Sequence, residues 1–408
     1  MQKHETTDSG KKQSYLRRVI MMGGATFAAV LIFALGIAVG NGQISFSSAS
    51  SQNKSLPAQL DYRSVNQLYS AIRENYDGRL TEEQLLDGLK SGLAQATGDP
   101  YTEYFNKKDA QEFNQQLEGS FTGIGAELGQ DEDKNLIVVA PIDGFPADKA
   151  GVRAKDAIVS IDGKSTSGMS IDDAVKKIRG ESGTKVELEL VRDRKETLKL
   201  TITRAEIKIP SVEWNVTDDN IGYMKITQFS DDTTTLATQA AQEFRDKDVK
   251  GVVLDMRDNP GGLLSAAVDV SSLWLPKGTT VLQEKRDGKV IRTYSATGND
   301  ILKGIKTTVL INGGSASASE ITAGALLDNK AATLIGEKSF GKGSVQQIQP
   351  LPDGAEVKIT IARWYRPNGQ NIDKKGIEPS KKIELTDDDY AQDRDPQKDA
   401  AVQALQSE

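Results

Sequence analysis

The chain has no cysteine and one histidine, His4, among its 408 residues. Without cysteine there is no disulfide, no thiolate nucleophile and no cysteine zinc site. With the only histidine next to the N-terminus, a Ser-His-Asp triad in the folded part is excluded as well, so a hydrolase built on this chain must use another base. A net charge of -7 gives no electrostatic reason to bind nucleic acid. What is present, 37% hydrophobic and 27% charged residues, has a globular balance, and at roughly 150 residues per domain the length suits about two or three domains.

One long apolar run stands out. Residues 19–40, VIMMGGATFAAVLIFALGIAVG, carry no charge, and as a helix they reach roughly 33 Å, enough to cross a bilayer core. Lys11, Lys12, Arg17 and Arg18 precede it, and positive flanks stay inside. The expectation is a cytoplasmic N-terminus at 1–18, a single transmembrane anchor at 19–40 and everything beyond on the outer side of a cell membrane. The run is longer than the apolar core of a cleaved signal peptide, about 7–15 residues, so the anchor is expected to be retained.

Residues 41–57, rich in Ser, Asn and Gln, read as a linker. Between 58 and 117 the pattern is helical: Val65, Leu68, Tyr69 and Ile72 follow the 3.6-residue period, and Thr81 opens a second helix carrying Leu85, Leu86 and Leu89. Such an apolar stripe serves either packing or self-association. From 118 to 206 short strands surround two helices, one with Ile171, Ala174, Val175 and Ile178 on a single face. From 207 to 385 strands and helices alternate in an α/β pattern, with a hairpin turning at Asp287-Gly288. Residues 386–408 read as a tail with a solvated helix.

Three segments place reactive residues at strand-to-loop junctions. In TTVLINGGSASASE, glycines and Ser315, Ser317 and Ser319 precede a helix whose N–H groups can stabilise an oxyanion. The residues alone do not rank the three serines. Glu320 beside them reads as a helix-capping partner. In GEKSFGKGSVQ, Lys342 sits between two glycines, and a lysine desolvated there becomes a usable base. In LDMRDNPGG, Gly261 and Gly262 expose backbone N–H groups that could pair with that of Ala318 as an oxyanion hole.

Gly123, Ile124, Gly125 and Ala126, followed by FPADKAGVRAKDAIVSIDG, resemble a PDZ domain with its carboxylate-binding loop, where converging N–H groups hold a C-terminus and an extended peptide adds to a strand edge. Val175 and Ile178 would line that groove. GSASASE followed by FGKGxxQ, together with the PDZ pattern, resembles the tail-specific or C-terminal processing peptidases of family S41. The resemblance implies a ClpP/crotonase-like α/β protease core with an inserted-type PDZ domain, beside the N-terminal helical region and transmembrane helix. It implies Ser317 as nucleophile, Lys342 as base, Gln346 as the residue orienting Lys342, and Ala318 with Gly261 or Gly262 as oxyanion donors. It implies no cofactor or metal, protein or peptide substrates with free C-termini, and a homodimer. Arg179, ending the groove helix, is a candidate for coupling the PDZ to a core carboxylate. The rival class is a membrane-tethered peptide-binding module with an inert Ser-Lys site.

Overall fold

The computed structural model describes residues 56–57, 59–131, 133–392 and 394–406. The expected span at 19–40, with most of the linker, lies outside the described residues. The chain divides into two units, Met1–Arg79 and Leu80–Glu408. In the first, helix Arg63–Asn75 leaves Leu68 and Tyr69 exposed.

The second unit opens with helix Glu82–Gln95. Its start is fixed by a reciprocal cap: the Gln84 N–H donates to Thr81 Oγ1 at 3.1 Å and the Thr81 N–H donates to Gln84 Oε1 at 2.9 Å. The region expected to be helical also supplies a strand, Glu103–Phe105, which pairs antiparallel with Glu356–Tyr365. Helix Lys107–Leu117 then leads towards the PDZ region.

Five strands, Ala126–Gln130, Leu136–Pro141, Ala157–Ile161, Lys185–Arg192 and Glu196–Thr203, form an antiparallel sheet in that order. Alternate residues Val186, Leu188 and Leu190 point inward onto Ala174 and Ile178 of helix Ile171–Ile178. Arg204 is buried yet satisfied, because its guanidinium donates to the carbonyls of Lys177, Ile178 and Lys185 and so closes that helix end. Ser120–Gly123 and Ala205–Lys208 pair as a two-stranded ribbon through which the chain enters and leaves this sheet.

The α/β core holds a six-stranded sheet: Val212–Val216, Ile221–Ile226, Gly251–Asp255, Thr307–Ile311, Thr333–Gly336 and Lys381–Lys382. The first pair is antiparallel and the others parallel. Val252, Leu254 and Val309 face helices Thr233–Asp246, Leu264–Ser272 and Ala318–Asp328. Ile221, Val253, Leu310 and Ile335 face the other way and are covered by Ala400, Ala401 and Leu405. The expected solvated tail is therefore corrected. Helix Pro396–Gln406 is the cover of the sheet's second face, which would otherwise leave a row of branched side chains in water. Burying Leu405, seated over Gly251, contributes about 2 kcal/mol. A second sheet combines Glu356–Tyr365 with Glu103–Phe105, Ser344–Pro350 and the hairpin Thr280–Arg286/Lys289–Ser295. The hairpin turns on Asp287 and Gly288, both at positive φ, as the strand twist demands.

Candidate active site

Three loops meet at the C-terminal ends of neighbouring strands. After strand Thr307–Ile311 the chain turns through Asn312-Gly313-Gly314 into helix Ala318–Asp328. Two of the three serines there are structural. Ser315 donates to the Met256 carbonyl at 2.7 Å and accepts the Asn312 N–H at 3.0 Å, while Ser319 donates to the Asn259 carbonyl at 2.9 Å. Both are fully buried. Ser317 is the serine of the three that lines the cleft. Its backbone has φ 53° and ψ −112°, a conformation that costs a residue with a β-carbon free energy.

Opposite it runs the loop Ser339–Ser344, held by the Phe340 N–H donating to the Ser315 carbonyl. A β-carbon on Gly343 would lie 2.5 Å from the Asp373 nitrogen, so only glycine lets the 371–376 segment close over the loop. The Lys342 carbonyl accepts from Trp364 Nε1 at 2.8 Å, and its ammonium lies 5.3 Å from the Tyr101 ring. Burial holds the Lys342 amine below its ordinary value, the charge of Lys358 adds to this, and Glu320 opposes it. A lysine in such a place is a base closer to neutrality than one on the surface.

The third loop is Asn259-Pro260-Gly261-Gly262. Asn259, fully buried, donates to the Ile226 carbonyl at 2.8 Å and accepts the Gly261 N–H at 2.9 Å. Gly261 and Gly262 have φ of 99° and 137°. A β-carbon on Gly261 would lie 2.8 Å from Ser317 Cβ, and one on Gly262 would lie 2.0 Å from the Phe229 carbonyl oxygen. The Gly261 N–H is thus committed to Asn259. Among the described residues the N–H groups of Gly262 and Ala318 have no protein acceptor.

Ser317, Ala318, Gly261, Gly262, Lys342 and Gln346 border one cleft of about 380 Å³, whose apolar walls include Leu117, Leu263, Ile321, Val345 and Trp364. No hydrogen bond joins Ser317 Oγ, Lys342 Nζ and Gln346. The Gln346 amide instead donates to Ser344 Oγ at 2.8 Å and to Thr360 Oγ1 at 3.2 Å, so the orienting bond to Lys342 is not formed in this conformation. Catalytic hydrogen bonds are often long without substrate.

In the PDZ sheet Ala126 starts an edge strand whose free side lies by helix Ile171–Ile178, with Val175 half-buried between them. Gly125, at φ 73°, lies against Phe145, where a β-carbon would sit 2.6 Å from Phe145 Cβ. Gly123 belongs to the ribbon, paired with Ala205. Ile124 and Ile178 differ from expectation: they are 3% and 5% exposed and belong to the PDZ core. The apolar face of a helix this short is taken up by its own domain. Arg179 also departs from expectation. The backbone turns extended at this helix end, and the guanidinium rests 5.1 Å from the Phe121 ring rather than on a carboxylate.

Sequence reasoning missed two polar assemblies. Glu320 accepts hydrogen bonds from the segments of both Ser317 and Lys342. Arg257, just before the loop Asn259-Pro260-Gly261-Gly262, joins buried Asp255 to Asp395. A glutamate three residues after Ser317 was a visible signal for half of the first; nothing local announces the second.

Residues 220–383 match peptidase family S41 and residues 137–192 match a PDZ domain. The chain is 36% identical over 384 residues to carboxy-terminal processing protease CtpA of Bacillus subtilis (strain 168), spanning 92% of this chain and 78% of that protein. It is 38% identical over 328 residues to CtpB of the same organism, spanning 79% and 68%. Among solved structures, the photosystem II D1 C-terminal processing protease matches with a TM-score of 0.50 at 32% identity, over 79% of this chain and 87% of that one. A putative S41 protease from Bacteroides fragilis NCTC 9343 matches with a TM-score of 0.51 over 83% and 93%, and at 15% identity that likeness concerns the fold alone.

Proposed function

From the premise that the chain belongs to peptidase family S41 and is a serine-type C-terminal processing protease, we propose that Ser317 and Lys342 are its catalytic dyad. The observation that carries this reading is the sorting of hydroxyls: Ser315 and Ser319 are tied to carbonyls, while strained Ser317 shares a cleft with a desolvated lysine. Neutral Lys342 takes the Ser317 proton as Oγ attacks the scissile carbonyl. The developing oxyanion is received by the N–H groups of Ala318 and Gly262. Protonated Lys342 then returns its proton to the leaving amine, leaving an acyl-enzyme. Water, deprotonated by Lys342, releases the acyl group and restores the dyad. Gln346 swings from Ser344 to orient Lys342 when substrate fills the cleft.

The reading places this chemistry outside the membrane, anchored through residues 19–40, on the strength of the apolar run and its positive flank. The substrate is a protein or peptide whose free C-terminus is held at the loop around Gly125 while its last residues extend along strand Ala126–Gln130. Amidating the C-terminus of a peptide substrate removes the charge that such a loop binds. It should lower kcat/KM by about tenfold to a hundredfold, the worth of hydrogen bonds to a charged group. Equal cleavage of acid and amide would remove tail recognition from the mechanism.

Helix Glu82–Gln95 exposes Leu86, Leu89 and Leu93 at helical spacing, an apolar stripe suited to a second copy of the chain. The double change Leu89→Glu and Leu93→Glu should convert a homodimer into a monomer in light scattering. An unchanged mass would place the contact elsewhere or nowhere.

A further inference from the structure

Glu320 has no exposed surface, carries a carboxylate and touches neither the cleft nor solvent. It lies in the first turn of helix Ala318–Asp328, where a glutamate ordinarily closes its own helix end. Here it does more. Its Oε2 accepts the Ser317 N–H at 2.9 Å and the Lys342 N–H at 2.9 Å, so the backbones of both residues meet at one oxygen atom. Its Oε1 accepts the Gly341 N–H at 2.7 Å and the Ser339 hydroxyl at 2.6 Å. The Ser339 oxygen itself accepts the Ile377 N–H at 2.7 Å, which directs its proton at the carboxylate.

We propose that Glu320 is a positioning residue of the dyad, whose single carboxylate sets the separation of nucleophile and base by holding both loops at once. The proposal rests on the reading of Ser317 and Lys342 as that dyad. Four donors converge on this side chain and it meets no acceptor, so only an ionised carboxylate with two accepting oxygens satisfies the set. Burial pushes the carboxyl up from its ordinary value, and the four donors work against that push. The bond to Ser317 acts on the N–H of the residue at φ 53°, helping to hold the strained backbone of a residue that lines the cleft. The bonds to Gly341 and Lys342 fix where the base enters it. A shift of one loop against the other by about 1 Å is enough to cost a hundredfold in rate.

Glutamine at this position has the same shape but one accepting oxygen. Either orientation of the amide turns an NH2 group against donors, on the Ser317–Lys342 side or on the Ser339–Gly341 side. Ser339→Ala is the milder change, removing one donor and leaving the Ile377 N–H without its acceptor. The experiment measures folding by circular dichroism and kcat and KM on an internally quenched peptide for the parent, Glu320→Gln, Ser339→Ala and Ser317→Ala proteins. Glu320→Gln is expected to stay folded at the assay temperature and to lose about a hundredfold in kcat with KM nearly unchanged. Ser339→Ala is expected to lose less, again in kcat. A folded Glu320→Gln protein with the parent kcat, or one whose loss only tracks its unfolded fraction, overturns the proposal. If Glu320→Gln does not fold, Ser339→Ala decides: a lower kcat at the same KM supports the proposal and a parental kcat overturns it. Cleavage that survives Ser317→Ala would sink the dyad reading itself, an outcome separate from all of these.

Discussion

Ser317→Ala and Lys342→Met should each lower kcat about 10⁴-fold or more, because nucleophile and base act as a unit and the loss of either removes most of the catalysis. Stability should move the other way for the lysine. Lys342 is half-buried and no carboxylate pairs with its ammonium, so a thioether of similar length removes a desolvation cost, and the melting temperature should hold or rise. The pH profile carries the same signature. With its amine held below the ordinary value, Lys342 becomes neutral at lower pH than a surface lysine, and kcat/KM should rise as pH passes through that value. Lys358 lines the same cleft, with its own charge paired to Glu103 at 3.0 Å. Lys358→Met removes a repulsion, so the acid limb of the profile should move to higher pH. Activity kept in Lys342→Met, or a limb that Lys358→Met moves to lower pH, would refute this account of the base.

Arg257→Ala should unfold the core more readily, by about 3–5 kcal/mol, the usual cost of leaving buried charge without its partner. The guanidinium donates to Asp255, which is 1% exposed, and grips Asp395 through two bonds of 2.9 and 2.8 Å, with Gln397 accepting a third at 3.1 Å. Tyr223 donates to the same Asp255 carboxylate at 2.8 Å. The melting temperature should fall by roughly 10 °C, read by calorimetry. Arg257→Lys, which keeps the charge but not the fork, should recover only part of it. Burial alone would raise the Asp395 carboxyl, but the Arg257 guanidinium together with the Lys398 N–H and charge outweighs it, so the group sits below its ordinary 3.8. The sign follows: this pair's contribution is complete above that value and is lost as pH falls through the lower folded one. Asp395→Asn should therefore flatten the acid end of the stability curve. A variant at Arg257 that melts with the parent would show the clamp to be idle.

The segments that meet at the cleft were legible because their signals are local. A serine between small residues and a lysine between glycines stand at strand ends, where backbone must come close, and Gly343 against Asp373 shows the reason. The alternation of strands and helices fixed the α/β character in the same way. What escaped is tertiary. Glu320 reads as a cap until the loop at 341–342 folds back on it. The segment PQKDAAVQALQ reads as polar because the face that covers the sheet consists of Ala400, Ala401 and Leu405, too small and too few to show as a stripe. Strand Glu103–Phe105 is too short to carry a period. Ile178 and Arg179 read as groove and coupling residues from a helix face and a helix end, and the depth of the one and the turning of the other depend on neighbours far along the chain.

The ribbon joining Gly123 to Ala205 has a mechanical consequence. It carries the chain into and out of the PDZ sheet on two adjacent strands, so a turning of that sheet would pivot here. The edge strand on which the proposed function seats a substrate tail begins at Ala126, three residues beyond Gly123, hence within about 10 Å of the ribbon at strand spacing. Points far out on the sheet sweep wide arcs when it swings; a point so close to the axis hardly moves. On the proposed reading, the end of a bound tail would keep a nearly constant distance from the cleft if the domain turned. The enzyme would then act as a ruler laid from the substrate's last residue, and the C-terminal fragments released from a peptide substrate should have a narrow spread of lengths.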